Sequence, residues 1–367
     1  MDTKTVWVKF ELLEKFAVDV FKGIGLPEED AGMAADVLIE ADRIGIDTHG
    51  IQRLKTIYYD RIKSGIQSAK TDFKIVKEGP TTAVVDGHNG MGQVIGKKAM
   101  ALAIAKAKKF GMGMVAVRNS THYGIAGYYC KMAADSGMIG ITGTNARPSV
   151  APTFGVENML GTNPLSFGFP TDDDFPFVLD CATSLSQRGK VELYGRLGKP
   201  LPEGWVIGED GKSRTDTLQV LEDLTKGKAA FTPLGGPGVE GAGYKGFGYG
   251  IVVEVLSAAL QQGAFMKMLL GVKDGKKVPI NLGHFFMAVD INAFCGVEEF
   301  KKTAGDIMRG LRASKKAPGH DRIYTSGEME YLAWLARKDK GAPVPEETQK
   351  EMKAMALELN LKYDLGF

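Results

Sequence analysis

Apolar residues recur at helical spacing from the start of the chain. Val8, Leu12, Leu13, Phe16, Val20 and Phe21 share one face, so residues 6–21 are predicted as an amphipathic helix stopped by Gly23-Ile-Gly25. Pro27-Glu-Glu-Asp30 opens a second helix, with proline in the first turn and acids favoured by the dipole, that runs to Arg43. After a break at Gly45–Gly50 a third helix is predicted over Ile51–Lys63. From Phe73 to Asp86 the period drops to two, around Ile75, Val76 and Thr81–Val85, and strands begin. A helix follows over Lys97–Phe110. Further strands are predicted at Met112–Val117, Met138–Thr144, within Gly155–Gly168, at Phe177–Leu179 and from His284. Between them lie helices at Ile125–Ala134, Ser186–Leu193, Tyr249–Leu260 and Val297–Leu311. Gly195–Thr215 is rich in turn residues and reads as an excursion, and the tail from Ser326 reads as helical to Leu359 around a turn at Lys338–Pro343. Strands occupy the middle and helices both ends. This predicts an α+β body whose termini pack together over a strand-rich centre. It divides into a helical domain (residues 1–72 with 312–367), a small α/β segment (73–120) and a sheet domain (121–311).

Composition narrows the partners. The 367 residues carry 46 Lys and Arg against 44 Asp and Glu, a net charge of +2, so no basic field points to nucleic acid or an anionic membrane. No apolar run approaches the ~20 residues of a membrane span, and residues 1–16 do not read as a signal peptide. Cys130, Cys181 and Cys295 lie far apart with no metal-ligand spacing, which fits a reducing, cytoplasmic setting and no metal.

Candidate chemistry gathers where apolar strands end. Met112–Val117 runs into Asn119-Ser-Thr-His-Tyr-Gly124, placing His122 at a strand-to-helix junction beside free backbone N–H groups. A histidine capping a helix or lodged under a loop reads equally well there. In the break between helices, His49 follows Thr48 and precedes Arg53 by four residues, so the imidazole and the guanidinium can share a face. Arginine is the side chain best shaped to grip a carboxylate. Asn145-Ala-Arg147 and Asp180-Cys-Ala182 are polar clusters of the same kind, and Lys245 sits in a glycine-rich stretch before a helix. Gly90-Met-Gly92 with Gly96 is a poor dinucleotide loop, because His88 and Asn89 separate it from its strand and no acid follows ~20 residues on. Nothing matches a Walker loop, a G-x-S-x-G elbow or an H-E-x-x-H helix. The residues alone suggest a small carboxylate substrate beside a phosphate-bearing cofactor.

Asp47-Thr-His-Gly50 with Arg53, Asn119–Gly124, Gly161-Thr-Asn-Pro164, Leu179–Ser184 and Gly243-Tyr-Lys-Gly-Phe-Gly248 stand in order. Together they resemble the type-2 malate/L-lactate dehydrogenase family from Phe10 to about Leu335. The resemblance implies a non-Rossmann nicotinamide-binding fold with a largely antiparallel sheet, NAD ahead of NADP as cofactor, and a homodimer. It implies reversible oxidation of a 2-hydroxy acid to a 2-oxo acid, with L-malate first. L-lactate, L-sulfolactate, ureidoglycolate, or reduction of cyclic imines or diketogulonate are the alternatives. By the same resemblance His122 is the acid/base, with His49 and Thr48 beside the substrate and Arg53 on its carboxylate. Thr48 stands where serine is common, and Arg147 could meet a second carboxylate or a cofactor phosphate. The cofactor contacts implied are His122, Tyr123, Gly124, Ile125, Ala126, Asn145, Ala146, Asp180, Cys181, Ala182, Lys245, Gly246, Ser326, Gly327 and Glu328. A non-catalytic binder of a phosphorylated ligand is the rival from outside the enzymes.

Overall fold

The computed structural model describes residues 5–367. Seven strands form its central sheet: β1 (Lys74–Glu78), β2 (Thr82–Asp86), β3 (Met112–Ser120), β4 (Met138–Thr144), β5 (Leu165–Phe169), β6 (Phe177–Cys181) and β7 (Leu282–Asp290). Their order is β1-β2-β3-β7-β4-β5-β6. Only β2 and β3 are parallel; every other neighbouring pair is antiparallel, as the non-Rossmann expectation requires. β7 arrives last in sequence and takes the centre, pairing Phe286 with Val115 on one side and Thr142 on the other. A central strand is walled on both faces, and Phe285, Phe286 and Ala288 are accordingly buried without a polar break.

The one parallel pair needs a crossover, which is helix α3 (Gly92–Phe110). Its buried face is Val94, Ile95, Ala99, Met100, Ala103 and Ala107. The small residues let its backbone lie close on the sheet: a Cβ at Gly113 would sit 2.1 Å from the Ala103 carbonyl. Gly111, at φ 85°, ends the helix in the left-handed conformation.

Helices α1 (Phe10–Gly23) and α2 (Glu28–Arg43) share a second core with the C-terminal helix Glu346–Glu358 and the tail. Val6–Val8 pairs antiparallel with Ala342–Val344, and Phe16 meets Tyr363 edge to face at 5.2 Å. The two ends of the chain therefore pack together, as the helical patterning predicted.

Several local expectations need correction. Ile51–Lys63 is no regular α-helix but a 3-10 turn (Ile51–Arg53), a π-turn (Leu54–Tyr59) and one α-turn (Asp60–Lys63). Residues 6–8 are a strand, because they find an edge partner 334–338 positions later that local periodicity cannot reveal. The Gly195–Thr215 excursion holds the strand Val206–Gly208, paired with Ala229–Phe231 over a small core of its own. The apolar helix starts at Gly243, its glycines notwithstanding. Among the described residues no helix is long and apolar enough to cross a membrane.

Candidate active site

His122 sits two residues past the end of β3, on a turn fastened from three sides. Thr121 Oγ1 donates to the Gly90 carbonyl at 2.8 Å and accepts from the Gly92 N–H at 3.0 Å. A Cβ at Gly92 would lie 2.3 Å from the Thr121 carbonyl and 2.4 Å from that of His122. Gly92, one of the glycines that superficially resemble a dinucleotide loop, thus lets α3 start directly against the histidine turn. Gly124 follows at φ 82°, with Val37 of α2 only 2.9 Å from where its Cβ would be. Helix α4 (Gly127–Asp135) then begins.

The hydrogen bonds assign the protons of the His122 ring. The Gly124 N–H donates to His122 Nδ1 at 3.3 Å, and the Tyr58 hydroxyl lies 2.7 Å from the same nitrogen. An amide can only donate, so Nδ1 is the acceptor and the neutral ring carries its proton on Nε2. Nε2 has no partner among the described residues.

His49 lies on the loop after α2, its ring stacked on His122 with centroids 5.8 Å apart. Its Nδ1 is 3.0 Å from Thr48 Oγ1, while Arg53 Nε donates to the Thr48 carbonyl at 2.5 Å. The loop is clamped from both ends of the chain. Asp42 Oδ2 accepts from the Ile51 N–H at 2.7 Å, and Arg337 grips Asp47 at 2.5 and 3.0 Å and the Asp42 carbonyl at 2.9 Å. The π-turn, in which hydrogen bonds reach five residues back, carries Tyr58 to His122.

The surroundings of these rings are cationic. Burial pushes the pKa of His122 well below its usual value, and the charges of His49, Arg61, Arg53 and His284 push the same way. Burial first and then Arg53 lower His49 to about 4. Burial likewise lowers Arg61, where the Arg147 guanidinium acts in the same sense. Both rings are half-buried, and their lowered pKa values leave them neutral near pH 7.

Beside the histidines, across Ile125 and Gly127, opens a cleft of about 440 Å³. Tyr128, Phe175, Tyr331 and Trp334 wall it, with Glu40, Asp135, Asp174, Asp180 and Glu330 as its acids and Lys131 as its cation. Asp180, at the end of β6, accepts the Gly127 N–H at 2.7 Å. Burial, with Glu330 adding to it, raises its pKa to about 6. Gly327 also lines the cleft, because the Ser326 carbonyl accepts the Val178 N–H and docks that segment on β6.

The structure thus brings together Thr48, His49, Arg53 and His122, with Arg147 close enough to act on Arg61. It gathers Ile125, Asp180 and Gly327 in the adjoining cleft. Other expected contacts turn elsewhere. The Tyr123 ring is buried, stacked on His284 at 4.5 Å. Asn145 is a strut, donating to the Ala264 carbonyl at 3.0 Å and accepting from the Gly283 N–H at 2.8 Å. Glu328 is held by Arg322 and the Thr325 N–H. Cys181 Sγ faces the Leu165 carbonyl, and neither Ala182 nor Gly246 lines the cleft. Lys245 is exposed, its ammonium 5.8 Å from the Tyr244 ring centre. Tyr58, Arg61 and the aromatic wall escaped sequence reasoning. Only the irregular spacing of Arg53, Tyr58 and Arg61 could have signalled the first two. Among the described residues no cluster is placed to hold a metal ion.

A model of the malate/L-lactate dehydrogenase family matches residues 8–353. The chain is 43% identical over 356 residues to a malate dehydrogenase of Pyrococcus horikoshii, covering 97% of this chain and 96% of that protein. It is 40% identical over 365 residues to an L-sulfolactate dehydrogenase of Methanocaldococcus jannaschii, covering 97% and 98%. The crystal structure of malate dehydrogenase from Entamoeba histolytica superposes with a TM-score of 0.95 at 46% identity, covering 98% of this chain and 99% of that one.

Proposed function

The chain belongs to the malate/L-lactate dehydrogenase family and is a 2-hydroxy acid dehydrogenase; from that premise we propose that it interconverts L-malate and oxaloacetate with NAD, using His122 as the proton donor and acceptor. The observation that carries the assignment is the His122 ring, which has Nδ1 engaged by Tyr58 and Gly124 and Nε2 without a partner among the described residues.

The chain's own residues divide the work. Arg53, whose Nε is spent on the Thr48 carbonyl, has its terminal nitrogens left to hold the C1 carboxylate. In reduction the protonated ring of His122 gives its Nε2 proton to the C2 oxygen and is left neutral, its remaining proton on Nδ1 toward the Tyr58 oxygen; in oxidation Nε2 of that tautomer takes the hydroxyl proton back. Tyr58, unlike the Gly124 amide, can accept as well as donate, so it can follow the ring between its two tautomers. His49 and Thr48 close the substrate side. A bound anion would also offset the cations that depress His122 and so restore part of its basicity.

The cleft fits a dinucleotide. Its aromatic walls suit a flat base. Ile125, Ala126, Asp180 and Gly327 would hold the cofactor, with the backbone of His122–Gly124 and Asn145–Ala146 leading toward the histidines. When bound, the nicotinamide supplies or accepts the hydride. Carboxylates accept hydrogen bonds from ribose hydroxyls and repel an added phosphate, which supports NAD over NADP. kcat/KM for NAD should therefore exceed that for NADP by tenfold or more; the reverse ratio would refute the preference.

The decisive experiment is turnover of L-malate, followed through reduced-nicotinamide absorbance, in wild type and His122→Ala. Loss of about 10²–10⁴ in kcat with intact cofactor binding is expected. An unimpaired variant would remove His122 from the chemistry. We also propose that a second copy covers the apolar face of the helix Gly243–Ala258, where Tyr249, Val252 and Val255 are exposed. This agrees with the homodimer that the resemblance implies. A monomer in sedimentation at micromolar concentration would count against it.

A further inference from the structure

We infer that Arg61 is a specificity-determining residue that, with Arg147, receives a second anionic group on the substrate. The inference rests on the 2-hydroxy acid reading and on the Arg53 assignment above.

Among the described residues, half-buried guanidinium groups outside the site have counter-ions, whereas Arg53 and Arg61 have none. Arg43 lies 2.6 Å from Glu14, Arg118 2.9 Å from Asp86, Arg312 2.5 Å from Asp173 and Arg337 2.5 Å from Asp47. Arg61 is also half-buried, yet among the described residues its guanidinium forms neither a salt bridge nor a hydrogen bond, and the Tyr58 hydroxyl is the group that favours its charge. Its main-chain carbonyl accepts from Ser64 Oγ and the Ile66 N–H. Removing a cation from water without a partner is unfavourable, and here the Arg147 charge opposes it further. Such an arrangement is stabilised when an anion enters.

The place of that anion follows from the chain. Arg61 comes three residues after Tyr58, whose hydroxyl is bonded to His122, and its charge reaches His122 together with that of Arg53. His122 is therefore reached by two cationic positions, Arg53 at the end of the 3-10 turn and Arg61, with Arg147 beside it, just past the π-turn. A 2-hydroxy acid with a single carboxylate satisfies the first and leaves the second empty. A substrate with a carboxylate or a sulfonate on C3 satisfies both, and a guanidinium fork matches either group. An apolar or neutral C3 substituent would leave the cations unpaired, which is a means of rejecting the wrong substrate.

The test is steady-state kinetics of wild type, Arg61→Met and Arg61→Lys with L-malate, L-sulfolactate and L-lactate. Wild type should prefer the two dianions to lactate by about 100-fold or more in kcat/KM. Arg61→Met should lower kcat/KM for the dianions by about 100-fold, chiefly through KM, and change lactate less than threefold. Arg61→Lys should recover part of the loss. Whichever dianion has the higher kcat/KM identifies the second group as carboxylate or sulfonate. The melting temperature of ligand-free Arg61→Met should stay level or rise, since an unpaired cation has been removed. Equal losses on lactate and malate, no loss on malate, or a fall in melting temperature with losses on every substrate would overturn the inference. Wild type inert toward all three acids would instead refute the functional reading beneath it.

Discussion

Tyr58 and Gly124 address one ring nitrogen, and that meeting was hidden from the sequence. Asn119-Ser-Thr-His-Tyr-Gly124 announced a histidine at a strand end, but nothing local tied it to a tyrosine 64 residues earlier. Replacing Tyr58 by Phe removes the one partner of Nδ1 that can both donate and accept. The expected outcome is a roughly tenfold lower kcat, little change in KM, and a displaced pH–rate limb; an unmoved pH profile would reduce Tyr58 to packing. The neighbouring ring bears on stability. His49 has a folded pKa of about 4 against 6.5 when free, so it takes up its proton more readily in the unfolded chain. Stability it leaves intact above pH ~6.5 is lost as pH falls toward 4, with a slope of at most about 1.4 kcal/mol per unit. Denaturation midpoints of wild type and His49→Gln between pH 7 and 4.5 should show a shallower acid decline in the variant. Parallel curves would mean that the ring is more solvated than its setting implies.

At the scale of elements, periodicity located most strands and helices because their burial is local. β4 was legible to the residue, and α3 at its end but not at its start, which lies five residues before the predicted Lys97. What it missed depends on distant partners or on glycine used for approach. Val6–Val8 is a strand only because Ala342–Val344 lies beside it, and Ile51–Lys63 abandons the α-helix to bring Tyr58 to His122. Gly90-Met-Gly92 was rightly a poor dinucleotide loop, but its other use was not legible: Gly92 lets α3 abut the His122 turn. Gly92→Ala would drive a methyl group into two backbone carbonyls. A destabilisation of about 1–3 kcal/mol is expected, together with a fall in kcat, since the turn that must yield carries the histidine. Thermal and kinetic measurements on the variant would check both, and loss of stability with full activity would show the turn to be tolerant.

Across the whole molecule, the site is a junction between regions far apart in sequence. His49 and Arg53 come from the N-terminal helices, His122 from the sheet, and the aromatic wall in part from Tyr331 and Trp334 near the other end. The sequence carried the individual motifs in order, yet their convergence depends on the topology, above all on the last helices closing over the first. The Arg337–Asp47 clamp spans 290 residues. During synthesis at ~5–20 residues per second, Asp47 emerges about 15–60 s before its arginine exists. The loop that carries His49 is then waiting for its fastener, and activity is expected only after the segment with Arg337 has docked. Timing of activity against chain completion would thereby report when the clamp closes.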